Sequence, residues 1–321
     1  PFLVLGVWQW DRFGQGRSAG LARWVGPIAL GLACSIKQTP WFCVPFVALG
    51  LFLEARASGR RPWRLALGYL AVVGGVFGLV NLPFIVWQPS AWARGTLLPF
   101  SRPLVVDGQG LVTLALHGVV HGVSPPLLTL ASVLLYVALM AAFVVWYPGL
   151  KRIWMLLLPL TFFVAPRSLL SYLIDLYPAA IVAAVSVAPT VRSAHARAAR
   201  RLATPFGLAV LVPAAAAVVV SVLAFTSPPL RVDVAAFTSS HAAASLDSVT
   251  VDVQNSTGGT VVPHFMVAFG DSHPSGFWIT TGGRPISLAP HGSYWVVQAY
   301  TSSPEALSTS PLQHWRLGKA K

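Results

Sequence analysis

Charged residues are scarce in this chain of 321 residues: Asp, Glu, Lys and Arg make up 10% of it, whereas 55% is hydrophobic and the mean hydropathy is +0.68. Soluble domains carry about 25% charged residues. Water would not keep so apolar a chain dispersed, and the uncharged runs 65–87 and 205–226 reach the roughly 20 residues that cross a bilayer. The composition therefore excludes an ordinary soluble domain and predicts an integral membrane protein with several crossings.

Acidic residues are the scarcest charged class, with 9 Asp and Glu against 22 Lys and Arg, so the net charge is +13. In a soluble protein this excess would suggest nucleic-acid binding. Here more than half of the basic residues collect in four short connections between apolar runs, at residues 11–23, 54–64, 148–152 and 190–204. Basic short loops stay on the cytoplasmic side. The charge therefore predicts topology and a lipid-bilayer partner, and no nucleic-acid partner is expected.

Cysteine is also rare, with only Cys34 and Cys43, both in apolar sequence. They offer neither a zinc pattern nor a disulfide framework, and packing is the predicted role. The chain starts at Pro1, and no basic region precedes the apolar residues 1–10. We expect these residues to be the tail of an apolar segment rather than a signal peptide, and the chain to begin inside a larger protein.

Two apolar stretches each join two basic connections and must therefore cross the bilayer an even number of times. In the stretch 24–53, residues 37–40 interrupt two arms of about 20 Å each, which is too short for an untilted crossing. We predict a hairpin of two short helices with its tip toward the outer face. The stretch 153–188 repeats this form, with an interruption at 166–168.

Full-length apolar segments account for the other crossings, at residues 65–87, 125–147 and 205–226. The long connection 88–124 then lies outside, and its residues 111–120 have the apolar spacing of a short surface helix.

After residue 226 the pattern changes to alternating, β-branched runs separated by turn-forming residues. These runs predict strands at 230–237, 248–254, 261–269, 277–280 and 294–300. The predicted fold is an all-α polytopic membrane bundle with interrupted hairpins (residues 1–226), followed by a small all-β, sandwich-like extracytoplasmic domain (227–310) and a tail (311–321).

Lys37 and Arg167 are cations inside the two interruptions, and each stands just before a helix start. Thr39 and Ser168 are predicted to cap those helices, whose N-termini favour anions. Each interruption therefore combines a cation with a helix N-terminus, and both are predicted on the outer side. This combination predicts a phosphate site. The alternative is that both side chains extend to the interface and bind nothing specific.

A polar stripe follows the second interruption, because Ser168, Ser171, Tyr172 and Asp175 share one helix face. Asp175 could neutralise Arg167 or line the same cavity, and the alternative role of the stripe is hydrogen bonding between helices.

Three further residues are weaker candidates. Asp107, the carboxylate of the external connection, could be a general base, although a turn or a cap explains it as well. His117 and His121 have a zinc-compatible spacing without a third ligand, so interfacial histidines are predicted instead of a metal site.

Several short runs resemble bacterial, actinobacterial-type membrane glycosyltransferases of the GT-C class that use polyprenyl-phosphate donors. The resemblance covers roughly residues 24–190 and is carried by residues 31–40, 81–84, 107–110 and 166–172. It implies inverting transfer of a sugar, mannose-like in the family, to an envelope glycan or glycolipid at the outer face of a bacterial plasma membrane. The candidate residues for binding the lipid phosphate are Lys37, Gln38, Arg167, Ser168, Tyr172 and Asp175.

The family's general base is an acidic residue in the first external loop, and no carboxylate matches it because Asp11 lies in a basic connection. We therefore expect the chain to be a C-terminal portion that is catalytically incomplete. No resident cofactor is expected, and the sequence leaves open whether a divalent cation binds. Two other classes of function are an envelope scaffold that presents the β domain and a transporter or flippase of lipid-linked sugars.

Overall fold

A computed structural model describes residues 1–101, 107–116, 123–168, 170–186, 205–226, 230–240, 245–263, 266–269, 279–280, 286–299 and 315–318. The α-helices, in chain order, are α1 (Phe2–Gln9), α2 (Val25–Ile36), α3 (Cys43–Ala57), α4 (Pro62–Trp87), α5 (Pro89–Ser101), α6 (Thr113–Leu116), α7 (Pro125–Val145), α8 (Tyr147–Leu150), α9 (Leu157–Val164), α10 (Leu170–Ser186) and α11 (Pro205–Thr226). Three segments are 3-10 helices: Trp10–Trp24, Thr39–Phe42 and Trp154–Leu156.

The strands are short and lie mostly toward the end of the chain. They are β1 (Asp107–Gly108), β2 (Arg167–Ser168), β3 (Leu230–Ser240), β4 (Ser245–Asn255), β5 (Met266–Phe269), β6 (Ile279–Thr280), β7 (Ser293–Ala299) and β8 (Trp315–Gly318). The chain divides into a first unit, Pro1–Leu104 with Thr129–Val219, and a second unit, Val105–Leu128 with Val220–Lys321.

Among the described residues, four helices are long and apolar enough to cross a membrane: Thr39–Ala57, Pro62–Trp87, Pro125–Val145 and Gly207–Thr226. Three of them match the predicted full crossings, and all four are compatible with a lipid bilayer. The fourth, Thr39–Ala57, corrects the prediction that both arms of the first hairpin are short. The second arm of this hairpin reaches a crossing length because its helix continues into the basic connection 54–64.

Contacts of Glu54 explain why α3 continues past the predicted end of the apolar stretch. The Glu54 carboxylate accepts a hydrogen bond of 2.9 Å from the Tyr147 hydroxyl, and Lys151 Nζ lies 3.5 Å from the same oxygen. The last turn of α3 is therefore held against α8, directly after the end of α7.

The predicted turn-back of the first hairpin is confirmed by its contacts along α4. Gly31 in α2 approaches Val73 and Val76, so closely that an added Cβ would lie 2.7 Å from Val76 Cβ. The Trp41 and Phe77 rings pack edge to face at 5.6 Å, and Phe52 in α3 packs on Trp63 at 4.7 Å. The two arms therefore run in opposite directions along α4, with the break at the Phe77 level.

The second interruption is confirmed in the same way by backbone conformation. Helix α9 ends at Val164, and Ala165 is extended with φ −61° and ψ 144°. Strand β2 (Arg167–Ser168) separates this end from α10. Both arms, Trp154–Val164 and Leu170–Ser186, are apolar but shorter than a full crossing.

An aromatic cluster around Phe46 forms the centre of the first unit. The buried Phe46 ring packs edge to face on Tyr136 at 5.7 Å and on Phe143 at 5.3 Å, and it stacks on Trp154 at 5.6 Å. In lipid, helices associate through packing and hydrogen bonds rather than through escape from water. Offset and edge-to-face ring pairs supply such packing. This cluster therefore joins α3, α7 and the segment before α9.

The second unit contains a small antiparallel sheet in the order β3-β4-β7-β6. Val251 at the middle of β4 pairs with Val234 of β3 and Val296 of β7, and it is buried. All five predicted strand regions contain strand residues, and β8, within the predicted tail, pairs with β5. Packing of two sheets into a sandwich stays a prediction.

The predicted surface helix at 111–120 is described only over α6 (Thr113–Leu116), since 117–122 lie outside the described residues. In the same unit, Val112, Leu128 and Ala224 form a small buried cluster, and the Ser124 amide donates to the Ala224 carbonyl at 2.7 Å.

Asn255 closes the turn that follows β4. Its side chain is 1% exposed, and its amide nitrogen donates to the carbonyls of Gly259 at 2.7 Å and Ala289 at 2.9 Å. Its amide oxygen accepts from the Thr257 N–H at 2.9 Å and from the Thr257 hydroxyl at 2.7 Å. A side chain that bonds the backbone two residues on forms an Asx turn. Asn255 therefore joins this turn to the segment before β7.

We predict that Asn255→Ala destabilises the sheet by about 1–3 kcal/mol, because it removes the hydrogen bonds that join the turn after β4 to the segment before β7. Amide hydrogen exchange of β4 and β7 in the full chain should accelerate on the order of tenfold or more. The exposed neighbour Ser256 provides the control, since Ser256→Ala removes a hydroxyl and no interaction of Asn255. Equal protection in the two variants would contradict a structural role for Asn255.

Candidate functional site

The site is built around the break between α2 and the 3-10 helix that precedes α3. Helix α2 ends at Ile36, and Lys37 is extended, with φ −149° and ψ 150°. The Trp41 indole N–H donates to the Cys34 carbonyl at 2.8 Å, and the Trp41 amide donates to the Gln38 carbonyl at 2.9 Å. Backbone groups in apolar surroundings need such partners. Trp41 therefore stabilises the open end of α2.

The extended backbone directs the Lys37 side chain to α10. Lys37 Nζ lies 2.5 Å from Asp175 Oδ2 and 5.3 Å from the centroid of the Tyr172 ring. The two charged side chains remain 35% and 41% exposed. Tyr172 and Asp175, which share one face of α10, thus lie beside Lys37. Of the two roles suggested for Asp175, neutralising Arg167 or lining the same cavity, the structure shows an ion pair with Lys37 of the other hairpin instead of one with Arg167.

A row of aromatic rings continues from Tyr172 into the unit. Tyr172 lies 5.5 Å from Phe162, Phe162 lies 5.2 Å from Phe42, and Phe42 lies 5.6 Å from Tyr136. The Tyr136 hydroxyl donates to the Phe42 carbonyl at 2.8 Å. This row places an apolar wall beside the Lys37 ammonium and satisfies one more carbonyl near the break.

Helix α5 reaches the other side of the break. The Gln38 side-chain amide lies 3.5 Å from the Thr96 carbonyl. In α4, the Asn81 amide nitrogen donates to the Phe77 carbonyl at 2.9 Å, and its oxygen accepts from the Trp92 indole at 2.9 Å. Asn81, one of the residues that carry the family resemblance, therefore fixes the start of α5 against α4.

The predicted cap at Thr39 is wrong. Gln38 occupies the N-cap position of the 3-10 helix, no side-chain cap hydrogen bond forms, and Thr39 is buried inside the helix. The chain stays extended only through Lys37, so helical geometry begins one residue too early for Thr39 to be the cap.

Arg167 and Ser168 form β2, just before α10. Ser168 is 1% exposed, and Arg167 is half-buried. Within the described part of the chain, the Arg167 side chain makes no hydrogen bond or ion pair. The convergence of Lys37 and Arg167 on one anion stays a prediction.

The side chains of the three weaker candidates lie outside the described part of the structure. Asp107 forms β1 at the backbone level, and His117 and His121 lie outside the described residues. In the described segments, no group of three or more His, Cys, Asp or Glu side chains is placed to hold a metal ion. Cys34 and Cys43 are buried free thiols, and Cys43 Sγ lies 3.9 Å from Met155 Sδ.

Sequence reasoning missed the aromatic residues that complete the site, namely Trp41, Phe42, Tyr136 and Phe162. Trp41 and Phe42 directly follow the interruption, which is a signal that could have identified them. Tyr136 and Phe162 lie in uniformly apolar segments, where only the packing distinguishes them.

The arrangement presents one half-exposed ammonium beside an aromatic wall in a unit of apolar helices. It is suited to an amphiphilic anion, whose charged group contacts Lys37 and whose apolar part lies along the rings. Comparison of the chain with family models, curated proteins and solved structures gives no match.

We predict that Lys37 and Asp175 are coupled in stability. Lys37→Met and Asp175→Asn should each destabilise the first unit, and the double variant should be more stable than the sum of the two changes predicts. The coupling should be on the order of 1 kcal/mol, because both groups are half-exposed and screened. Thermal unfolding in detergent measures it.

The matched control is the exposed pair Arg231 and Asp233 in β3, whose charged atoms lie 3.3 Å apart and whose side chains are both 68% exposed. Its cycle, Arg231→Met with Asp233→Asn, should show almost no coupling. A Lys37–Asp175 coupling no larger than this control would mean that the pair does not stabilise the unit.

Proposed function

We propose that this chain functions as a membrane glycosyltransferase of the polyprenyl-phosphate-dependent GT-C class. In this proposal, Lys37 binds the phosphate of the lipid-linked sugar donor. The observation that carries the proposal is the position of Lys37 at a helix break, where its ammonium is half-exposed beside the Tyr172 ring. Ionisable residues in apolar helical segments are costly, and they usually serve a ligand or a transport path.

The chemistry of the site fits a polyprenyl phosphate in two respects. Its cation can form a charge-assisted hydrogen bond with a phosphate oxygen. Its aromatic row, from Tyr172 through Phe162 to Phe42, is an apolar surface of the kind that an isoprenoid chain contacts. Arg167 precedes Tyr172 by five residues in the chain, and it is the second cation of the proposed site. The acceptor would be an envelope glycan or glycolipid.

The proposed topology places the four basic connections in the cytoplasm of a bacterial cell and residues 227–321 outside it. Both hairpin breaks then lie toward the outer face, where the family transfers sugars. This placement follows from the asymmetry of Lys and Arg between short connections.

We expect Lys37→Ala and Arg167→Ala each to weaken binding of a short-chain isoprenyl phosphate about 10- to 150-fold, since each removes one charge-assisted hydrogen bond worth roughly 1.5–3 kcal/mol. Titration of the detergent-purified chain measures the affinity. Lys151→Ala is the matched control, because Lys151 also pairs with a carboxylate but at the Glu54 cluster. A folded Lys37→Ala variant with unchanged affinity would refute the proposed site.

The topology has its own test by cysteine labelling in intact cells. A Cys at Ser239, in β3, should react with an impermeant reagent added outside, whereas a Cys at Ser193, outside the described residues, should react only after permeabilisation. The native Cys34 and Cys43 are buried, so they contribute little background. The reverse labelling pattern would show that the sheet lies in the cytoplasm.

A further inference from the structure

The ammonium proposed to bind phosphate already has a partner. Lys37 Nζ and Asp175 Oδ2 lie 2.5 Å apart, and the two residues come from different hairpins, 138 positions apart in the chain. A lysine ammonium has three donors, so an anion can contact Lys37 without displacing Asp175. Tetrahedral geometry at the nitrogen then places an anion oxygen about 4 Å from the Asp175 carboxylate. Every anion at Lys37 is therefore repelled by Asp175.

This repulsion depends on the charge of the ligand. A lipid-linked sugar donor is a phosphodiester with a single negative charge. When an acceptor hydroxyl oxygen forms its bond to the anomeric carbon, the bond from that carbon to the phosphate oxygen breaks and both of its electrons stay with the phosphate oxygen. The acceptor hydroxyl gives its proton to solvent, the sugar stays on the acceptor, and the lipid product is a phosphomonoester. A phosphomonoester carries about −1.5 to −2 charges at neutral pH. Coulomb repulsion scales with the charge, so Asp175 acts more strongly against the product than against the donor.

We infer that Asp175 is a specificity-determining residue that lowers the affinity of the Lys37 site for the doubly charged phosphomonoester more than for the singly charged phosphodiester. It thereby limits retention of the lipid product. The inference rests on the proposed function, and it adds the rule by which the site distinguishes donor from product.

The test compares the wild-type chain with Asp175→Asn, which removes the charge and keeps the shape of the side chain. Three ligands with the same short isoprenyl chain are titrated: the phosphomonoester, its methyl phosphodiester and its hexosyl phosphodiester. At a water-like dielectric constant and about 4 Å, removal of one unit repulsion tightens binding about fivefold for a monoanion, and hence about 25-fold for a dianion. The affinity ratio of monoester to diester should therefore rise about fivefold.

The methyl and hexosyl diesters separate charge from sugar contacts, because both should respond equally to Asp175→Asn. Asp175→Glu keeps the charge and should leave the ratio near that of the wild type. Asp233→Asn, the same change at an exposed site, should leave it unchanged. Asp175→Ser also removes the charge, and it replaces Asp175→Asn if that variant does not assemble.

Two results would overturn the inference in distinguishable ways. Equal changes for the monoester and the diesters, or weaker binding of all three, would show that Asp175 only positions Lys37, and the proposed phosphate site would stand. Failure of the folded wild-type chain to bind any of the three ligands would remove the proposed function and this inference together.

Discussion

Unpaired backbone carbonyls at a helix end are costly in lipid, because no water is there to donate hydrogen bonds to them. The break after Ile36 creates such carbonyls inside an apolar unit, and aromatic side chains with polar tips satisfy them. The Trp41 indole bonds the Cys34 carbonyl, and the Tyr136 hydroxyl bonds the Phe42 carbonyl. The Trp41 ring also packs on Phe77, and the Tyr136 ring packs on Phe42, which in turn packs on Phe162. The aromatic side chains that bond the carbonyls at the break therefore also help to form the aromatic wall of the site.

The break also determines which charges meet. An extended Lys37 leaves the helical path, so its side chain can reach α10, where Asp175 and Tyr172 lie less than one turn apart. A carboxylate supplied by a distant segment makes the lysine tolerable in apolar surroundings. It also keeps the ammonium in one place, within reach of an incoming anion. Under the proposed function, fold stability and ligand selection depend on the same ion pair, which is a common compromise at functional sites.

The elements of this protein were largely predictable, whereas their partners were not. Lys, Pro and Arg inside apolar stretches identified both interruptions, and alternation identified the strand regions after residue 226, because these are local signals. The end of α3 was placed too early, since Glu54 and Arg56 suggested a loop, and only Tyr147 and Lys151 reveal the helix. The pairing of Lys37 with Asp175 depends on how two hairpins pack, so spacing along one helix suggested Arg167 instead. The side-chain cap at Thr39 failed for a local reason, a helix that starts one residue earlier.

Direct backbone contact between α2 and α4 at Gly31 has a mechanical consequence. An added Cβ there would lie 2.7 Å from Val76 Cβ and 2.9 Å from the Val73 carbonyl oxygen, so the α2 backbone packs directly on α4 with no side chain of its own at this point. The contact can serve as a fulcrum, and Lys37 lies six residues beyond it, about 9 Å along the helix. A tilt of α2 by about 10° around this point moves Lys37 by about 1.6 Å, which is more than an ion pair of 2.5 Å tolerates. A tilt of α2 of this size would therefore open the ion pair between Lys37 and Asp175.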